Sequence, residues 1–216
     1  MSVSGPVTRR FWNRFAMLRA ACYTAMTRTN VRYWTSIASG GPPPWDERNR
    51  IIAQFVKSGT SVLDLGAGAR TLKGHLSPDC RYQPCDIVRS PEVWFCDFNS
   101  GVYPPVHEKF DYVICSGVLE YIWKPLPFIE RITEFGSTTL MSYNPLTSEQ
   151  KKLDRLANLW VNHLPQQELE ELFQSLDLQY ELIDQRPSNE LLYQISSPNQ
   201  KTVAGTDVPH GGPSVS

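Results

Sequence analysis

Ser61-Val-Leu-Asp-Leu-Gly-Ala-Gly-Ala-Arg70 begins as a run of apolar, strand-forming residues and passes through Gly66 and Gly68 into a helical pattern at about 70–77. Glycines at a strand-to-helix turn let the backbone approach a ligand closely, and the start of a helix offers N–H groups that no carbonyl has claimed. Twenty positions beyond Gly66, Asp86 ends the next apolar run, Tyr82-Gln-Pro-Cys-Asp86. A carboxylate there can accept hydrogen bonds from both hydroxyls of a ribose, which implies a nucleoside ligand. Dinucleotides and S-adenosylmethionine compete for this reading. The dinucleotide fingerprint G-x-G-x-x-G requires glycine at position 71, and the chain has Thr71.

Outward from this stretch, short apolar runs alternate with helical segments, the pattern of a parallel sheet with crossover helices. Strands are expected at about 61–65, 82–87, 93–97, 111–115 and 138–143, and helices near 46–57, 70–77, 118–134, 147–160 and 166–176. Two last strands, 178–184 and 190–196, flank Gln185-Arg-Pro-Ser-Asn189, a turn-rich connection that suits an antiparallel pair. The tail 197–216 is rich in Gly, Pro, Ser and Thr and is expected to be disordered. Only Ile87–Glu92 separates Asp86 from the third strand, too few residues for a crossover helix, so that edge of the sheet should lie partly open.

The 216 residues suffice for one α/β domain, and 41% hydrophobic with 20% charged residues excludes disordered, collagen-like and coiled-coil classes. No apolar stretch is long enough to cross a bilayer and no secretory signal is visible, so a cytoplasmic protein is expected. Five cysteines (22, 80, 85, 96 and 115) without a CxxC pair read as buried reduced thiols, with no metal expected. Charge is uneven. Residues 1–45 hold six arginines and no acid, whereas the remainder holds 15 basic and 22 acidic residues. Within that arm Phe11, Phe15, Leu18 and Cys22 fall on one helical stripe over 8–26, and Ser39-Gly-Gly-Pro-Pro-Pro-Trp45 breaks the pattern. A three-part chain follows: a basic helical arm and linker at 1–44, the main domain at 45–196, and the tail. A lid over the substrate is the preferred role of the arm. A membrane-surface contact and an organellar targeting peptide stay open, and arginines without a cluster argue against nucleic acid.

Over about residues 45–196 the sequence resembles the class I S-adenosylmethionine-dependent methyltransferases, in particular the methyltransferase-11-like group. The resemblance rests on Val62-Leu-Asp-Leu-Gly-Ala-Gly68, Asp86, Cys96-Asp-Phe-Asn99 and Phe110-Asp-Tyr-Val-Ile-Cys-Ser-Gly-Val-Leu-Glu-Tyr-Ile122, in that order. It implies a Rossmann-like, seven-stranded α/β sheet, mostly parallel with an antiparallel C-terminal pair, and S-adenosyl-L-methionine as cofactor. By the same resemblance Gly66, Ala67 and Gly68 pass the methionine part, with Asp64 near its amino group. Asp86 and Ile87 attend the ribose, Asp97 and Phe98 the adenine, and Ser116, Gly117 and Leu119 close the other side.

The chain departs from the family pattern at two positions. Arg70 stands where the family usually has glycine, and either binds the cofactor carboxylate or crowds the site. Leu119-Glu120-Tyr121 replaces the frequent Leu-Glu-His and removes an imidazole. Methyl transfer is an in-line displacement governed by positioning, and a base helps most when the acceptor is a hydroxyl. Candidate bases are His163, Tyr121, Glu120 and Tyr143; Ser142-Tyr-Asn-Pro145 is set aside as a weak likeness to the loop of DNA amine methyltransferases. The expected activity is methylation of a small-molecule or glycan-type hydroxyl. The rivals are a catalytically lapsed cofactor-binding regulatory subunit and a nicotinamide-dependent oxidoreductase.

Overall fold

Strand β1 (Ser61–Leu65) forms where the sequence places it: Val62, Leu63 and Leu65 supply the apolar character, and all five residues are buried, as in central parallel strands. The computed structural model describes residues 45–197 and, in the N-terminal segment, residues 18–19, 21–26, 31 and 34–35. After α1 (Asp46–Ala53) and β1 come β2 (Arg81–Asp86), β3 (Trp94–Phe95), β4 (Phe110–Ser116), α2 (Pro125–Thr133), β5 (Gly136–Tyr143), α3 (Lys152–Ala157), α4 (Gln166–Ser175), β6 (Gln179–Gln185) and β7 (Leu191–Ser196). They make one seven-stranded sheet in the order β3-β2-β1-β4-β5-β7-β6. The pairs from β3 through to β5 are parallel, whereas β7 runs antiparallel to both β5 and β6. This is the expected α/β architecture with its antiparallel C-terminal pair.

Alternation along the strands divides the core. Leu63, Leu65, Val113, Cys115 and Met141 face α2 and α4, which contribute Phe128, Ile129, Ile132, Leu169 and Phe173. Val62, Tyr112, Ile114, Leu140 and Leu192 face Ile52 of α1 and Leu72. Each large side chain buried in this way stabilises the fold by about 1.5–3 kcal/mol. Chain order reverses between β1 and β4, so the carboxyl ends of these two strands diverge around a crevice, the usual ligand position in an open α/β sheet.

Several local expectations are corrected. The helix at 70–77 shrinks to a 3-10 turn, Thr71–Gly74, preceded by Arg70 in the left-handed region at φ 59°. The helix at 118–134 is two pieces, a 3-10 turn at Leu119–Tyr121 and α2. Lys124 between them is held out of the helical region by Pro125, as residues before proline are. No helix joins β2 to β3, and β3 has two residues, so along residues 81–84 β2 is paired with β1 but has no strand on its outer edge; Pro84, which has no N–H to give, sits there. Cys85 and Cys96 form a disulfide, their Cα atoms 6.2 Å apart, against the expectation of reduced thiols. Cys96 stands two residues beyond Trp94, the register partner of Cys85, and so points to the same face. Of the other thiols only Cys115 is buried. In the arm, Ala21 and Thr24 are buried while Leu18 and Cys22 are exposed, so the inward face is not the expected stripe. Phe11, Phe15, the linker before Trp45 and the tail beyond residue 197 lie outside the described residues.

Candidate functional site

The carboxyl ends of β1, β2, β4 and β5 surround a cavity of about 270 Å³. At its base is the turn after β1. Gly66 and Ala67 both donate to the carbonyl of Cys85, at 2.8 and 3.0 Å, which fastens the turn to β2. Gly66 has φ 73°, and a Cβ there would lie 2.5 Å from Val118 Cγ2, so this position needs glycine for both conformation and space. Asp86 is buried beside it. Its Oδ2 accepts from Gly68 N and its Oδ1 from Val88 N, each at 2.8 Å, so the carboxylate is aimed by backbone donors. Ile87, Asp97, Phe98 and Asn99 continue the wall on this side. Asp97 also caps a 3-10 turn by accepting from Ser100, and Phe98 packs its ring against Tyr103 and Phe128.

Across the cavity, α1 contributes Arg48. Its Nη1 donates to Glu190 Oε1 at 2.8 Å and its Nη2 to the carbonyl of Ser116 at 3.2 Å. Glu190 is itself buried and is bound on its other oxygen by Arg186 at 2.9 Å. Ser142 completes the cluster, donating to Glu190 and accepting from Gly117 N. A Cβ at Gly117 would collide with the Arg48 guanidinium, so the glycine of the loop is explained by the arginine. Two terminal nitrogens of Arg48 are engaged; its Nε is buried with no hydrogen-bond partner among the described residues.

At the far end of the same cavity Glu120 is 1% exposed. Its Oε1 accepts from the backbone and side-chain nitrogens of Asn144, at 2.9 and 3.0 Å, whereas its Oε2 is buried without a partner among the described residues. Burial pushes its carboxyl above the ordinary glutamate range, against the pull of the Asn144 donors, its own backbone N–H and the Arg48 charge. Trp34, Trp45, Tyr121 and Trp160 line this end. Trp34 meets Tyr121 edge to face with ring centroids 4.7 Å apart, and Trp160 Nε1 donates to the Tyr121 hydroxyl at 3.2 Å. Behind them Arg155 is fully buried, with no carboxylate partner among the described residues. It donates to the carbonyls of Asn144, Pro145 and Asn162 and so braces the loop that carries Asn144.

No protein-family model matches the chain, and no curated protein is similar to it in sequence. Its similarity to solved structures is extensive. A putative O-methyltransferase from Nostoc punctiforme PCC 73102 aligns over 85% of this chain and 67% of its own with a TM-score of 0.58 at 15% identity. The plantazolicin methyltransferase BpumL, solved with a monoazolic desmethylPZN analog and SAH, aligns over 89% and 100% with a TM-score of 0.54 at 13% identity. The pyocyanin biosynthetic protein PhzM aligns over 69% of this chain with a TM-score of 0.50 at 13% identity, and the chain spans 54% of its length. The fold is that of the class I methyltransferases.

On this methyltransferase fold, the cavity gathers Gly66, Gly68, Asp86, Ile87, Asp97, Phe98, Ser116, Gly117, Glu120 and Tyr121 of the residues the sequence singles out. Ala67 and Leu119 are buried beside it but do not line it. Asp64 lies on the opposite face of β1 from Leu63 and Leu65, where it accepts from the Tyr82 hydroxyl at 2.6 Å; burial pushes its carboxyl up to about 7. Arg70 is outside, in a separate hollow with Lys73, Tyr82 and Trp94, because its left-handed backbone turns the side chain away. Tyr143 is likewise outside. It is fully buried, and its hydroxyl is enclosed by Asn162, Leu164 and Arg155. His163 does not reach the cavity, and burial, with Arg155 and Lys152 nearby, lowers its pKa below the ordinary range. Sequence reasoning missed Arg48 and Asn144. Arg48 lies four residues before the buried Ile52, on the helix face that turns inward, and that spacing was the available signal.

Proposed function

We propose that the protein is an S-adenosylmethionine-dependent methyltransferase acting on a small-molecule acceptor. The observation that carries this reading is the Asp86 carboxylate, held by Gly68 N and Val88 N at the rim of a cavity whose other wall holds the unpartnered Arg48 Nε. Asp86 retains lone pairs to accept both ribose hydroxyls, and Arg48 Nε offers a charged donor to the methionyl carboxylate. Asp97 and Phe98, which line the same cavity, are assigned the adenine edge and face on this reading, and Gly66 the close approach of the chain between. When bound, the cofactor supplies an electrophilic methyl group; the residues here position it and exclude water.

The lapsed-subunit alternative leaned on Arg70 obstructing the site, and Arg70 lies outside the cavity. Trp34, from the arm, lines the acceptor end, which supports the lid role of that segment. Glu120 is the cavity's ionisable group beside the acceptor space, so the hydroxyl expected from sequence and an amine are the acceptors to weigh.

The test is a melting series with S-adenosylhomocysteine and NADH. A ligand that binds the folded state alone raises the melting temperature with the logarithm of its concentration. S-adenosylhomocysteine should do so and NADH should not. A shift with NADH alone would refute the assignment.

A further inference from the structure

We propose that the acceptor is an amine, received as its ammonium ion by Glu120 Oε2 between the rings at the far end of the cavity. This inference rests on the methyltransferase reading and names its substrate class. The first support is the state of the carboxylate. Asn144 takes Oε1 with two N–H groups, which fixes the side chain and leaves Oε2 buried with no donor among the described residues. The nearest cations do not supply one. Arg48 spends its terminal nitrogens on Glu190 and the Ser116 carbonyl, and Arg155 spends its own on backbone carbonyls, Gln150 and the Tyr143 hydroxyl. A buried carboxylate normally keeps hydrogen-bond partners on both oxygens; the charges of Arg48 and Arg155 are felt at Glu120, but neither side chain donates to Oε2 among the described residues. An ammonium ion supplies both the charge and the hydrogen bond, whereas an alcohol supplies only the hydrogen bond.

The surroundings fit a cation as well. Trp34, Tyr121 and Trp160 line the same end, and the edge-to-face contact and the indole-to-hydroxyl bond hold these rings in place. Aromatic faces attract cations when water is excluded and offer a neutral alcohol no comparable gain.

The chemistry agrees. An ammonium nitrogen has no lone pair until it loses a proton, and Glu120 Oε2 is the acceptor at hand. Burial raises its basicity towards that of an amine, while an aliphatic hydroxyl remains far too weak an acid for it. The proton passes from nitrogen to Oε2. The freed lone pair then forms the N–C bond to the methyl carbon as the C–S bond breaks, and that electron pair stays on sulfur. The product leaves as a methylated ammonium ion with S-adenosylhomocysteine, and the proton on Glu120 passes to solvent, so one cationic amine and one sulfonium yield one cationic amine and one proton.

The test titrates the S-adenosylhomocysteine complex of the full chain with 2-phenylethylammonium and its isostere 2-phenylethanol, read by calorimetry. The ammonium ion should bind at least tenfold more tightly than the alcohol, and Glu120→Gln should bring that ratio near one. Should the variant fail to fold, the ratio in the unaltered protein stands as the test. Equal binding of the two probes, binding of neither, or a preference that survives Glu120→Gln overturns the amine acceptor while leaving the methyltransferase reading intact. Failure of S-adenosylhomocysteine to bind at all overturns that reading and the amine acceptor with it.

Discussion

Replacing Arg48 by methionine tests the part of the site that sequence reasoning overlooked. The side chain keeps most of its length and loses its charge. In the protein as it stands, Nη1 and Nη2 are committed to Glu190 and to the Ser116 carbonyl, which leaves a single buried donor, Nε, for a ligand. One charge-assisted hydrogen bond contributes about 1.5–3 kcal/mol, so Arg48→Met should weaken S-adenosylhomocysteine binding by roughly 10- to 150-fold. Stability should fall less than for an orphaned buried charge, because Glu190 keeps Arg186 at 2.9 Å and Ser142 at 3.2 Å; a loss of about 1–3 kcal/mol is expected. Loss of structure around Ser116 and Gly117 would also weaken binding, so the decisive comparison uses a second ligand, S-adenosylhomocysteine without its carboxylate. The unaltered protein should prefer the carboxylate-bearing ligand by the same 10- to 150-fold factor, and Arg48→Met should bind the two alike. Calorimetry gives all four constants. If the variant loses affinity for both ligands equally, Arg48 is a brace for the Ser116 loop and not a ligand for the carboxylate.

Asp86→Asn should weaken S-adenosylhomocysteine binding at least tenfold in the same assay, since the amide cannot accept from Gly68 N, Val88 N and two ribose hydroxyls together; an unchanged affinity would make Asp86 a turn fastener only. Arg70→Gly should leave affinity within twofold and alter stability by no more than about 1 kcal/mol, because a left-handed residue is exchanged for the one that favours that conformation; a tenfold change in affinity would return Arg70 to the site. Gly66→Ala should cost about 1–3 kcal/mol through its positive φ and the Val118 contact, with Val118→Ala restoring only the steric part in denaturant titrations. Asp64 has a folded-state pKa raised by burial to about 7, so its contribution to stability is complete below about pH 4 and is lost as pH rises through 7. Asp64→Asn should therefore gain on the unaltered protein by up to roughly 4 kcal/mol across that window, and parallel stability–pH curves would contradict the buried environment.

Much of this architecture is legible because it is local. The β1 run, the glycines after it and Asp86 twenty residues on are fixed by strand burial and turn geometry, and the structure brings Gly66, Gly68 and Asp86 to one cavity rim. The short 87–92 link likewise announces its lack of a helix. Sequence and structure part where tertiary context outweighs a local pattern. Arg70 reads as a site residue from its position in the motif, yet its left-handed backbone carries it to another hollow. Tyr143 has the right chemistry, but Asn162, Arg155 and the Leu164 backbone enclose its hydroxyl in a buried brace, and the half-buried His163 does not line the cavity. The Cys85–Cys96 pairing depends on the register of β2 against β3, which no spacing rule specifies. Asn144 has meaning only beside Glu120, from which 24 residues of chain separate it.

Two buried polar atoms on residues that line one cavity, Arg48 Nε and Glu120 Oε2, lack partners among the described residues although each belongs to a side chain otherwise engaged. Native cores rarely tolerate such atoms, since each costs about 1–3 kcal/mol when left dry and unpaired. Their opposite chemistry is informative. The donor comes from α1 and the acceptor from the turn after β4, so the cavity asks for an anionic group and a cationic group. One ligand with a carboxylate and a second with an ammonium group would satisfy both, and binding would then recover stability that the empty fold forgoes. On that argument the stabilisation from both ligands together should exceed that from either alone.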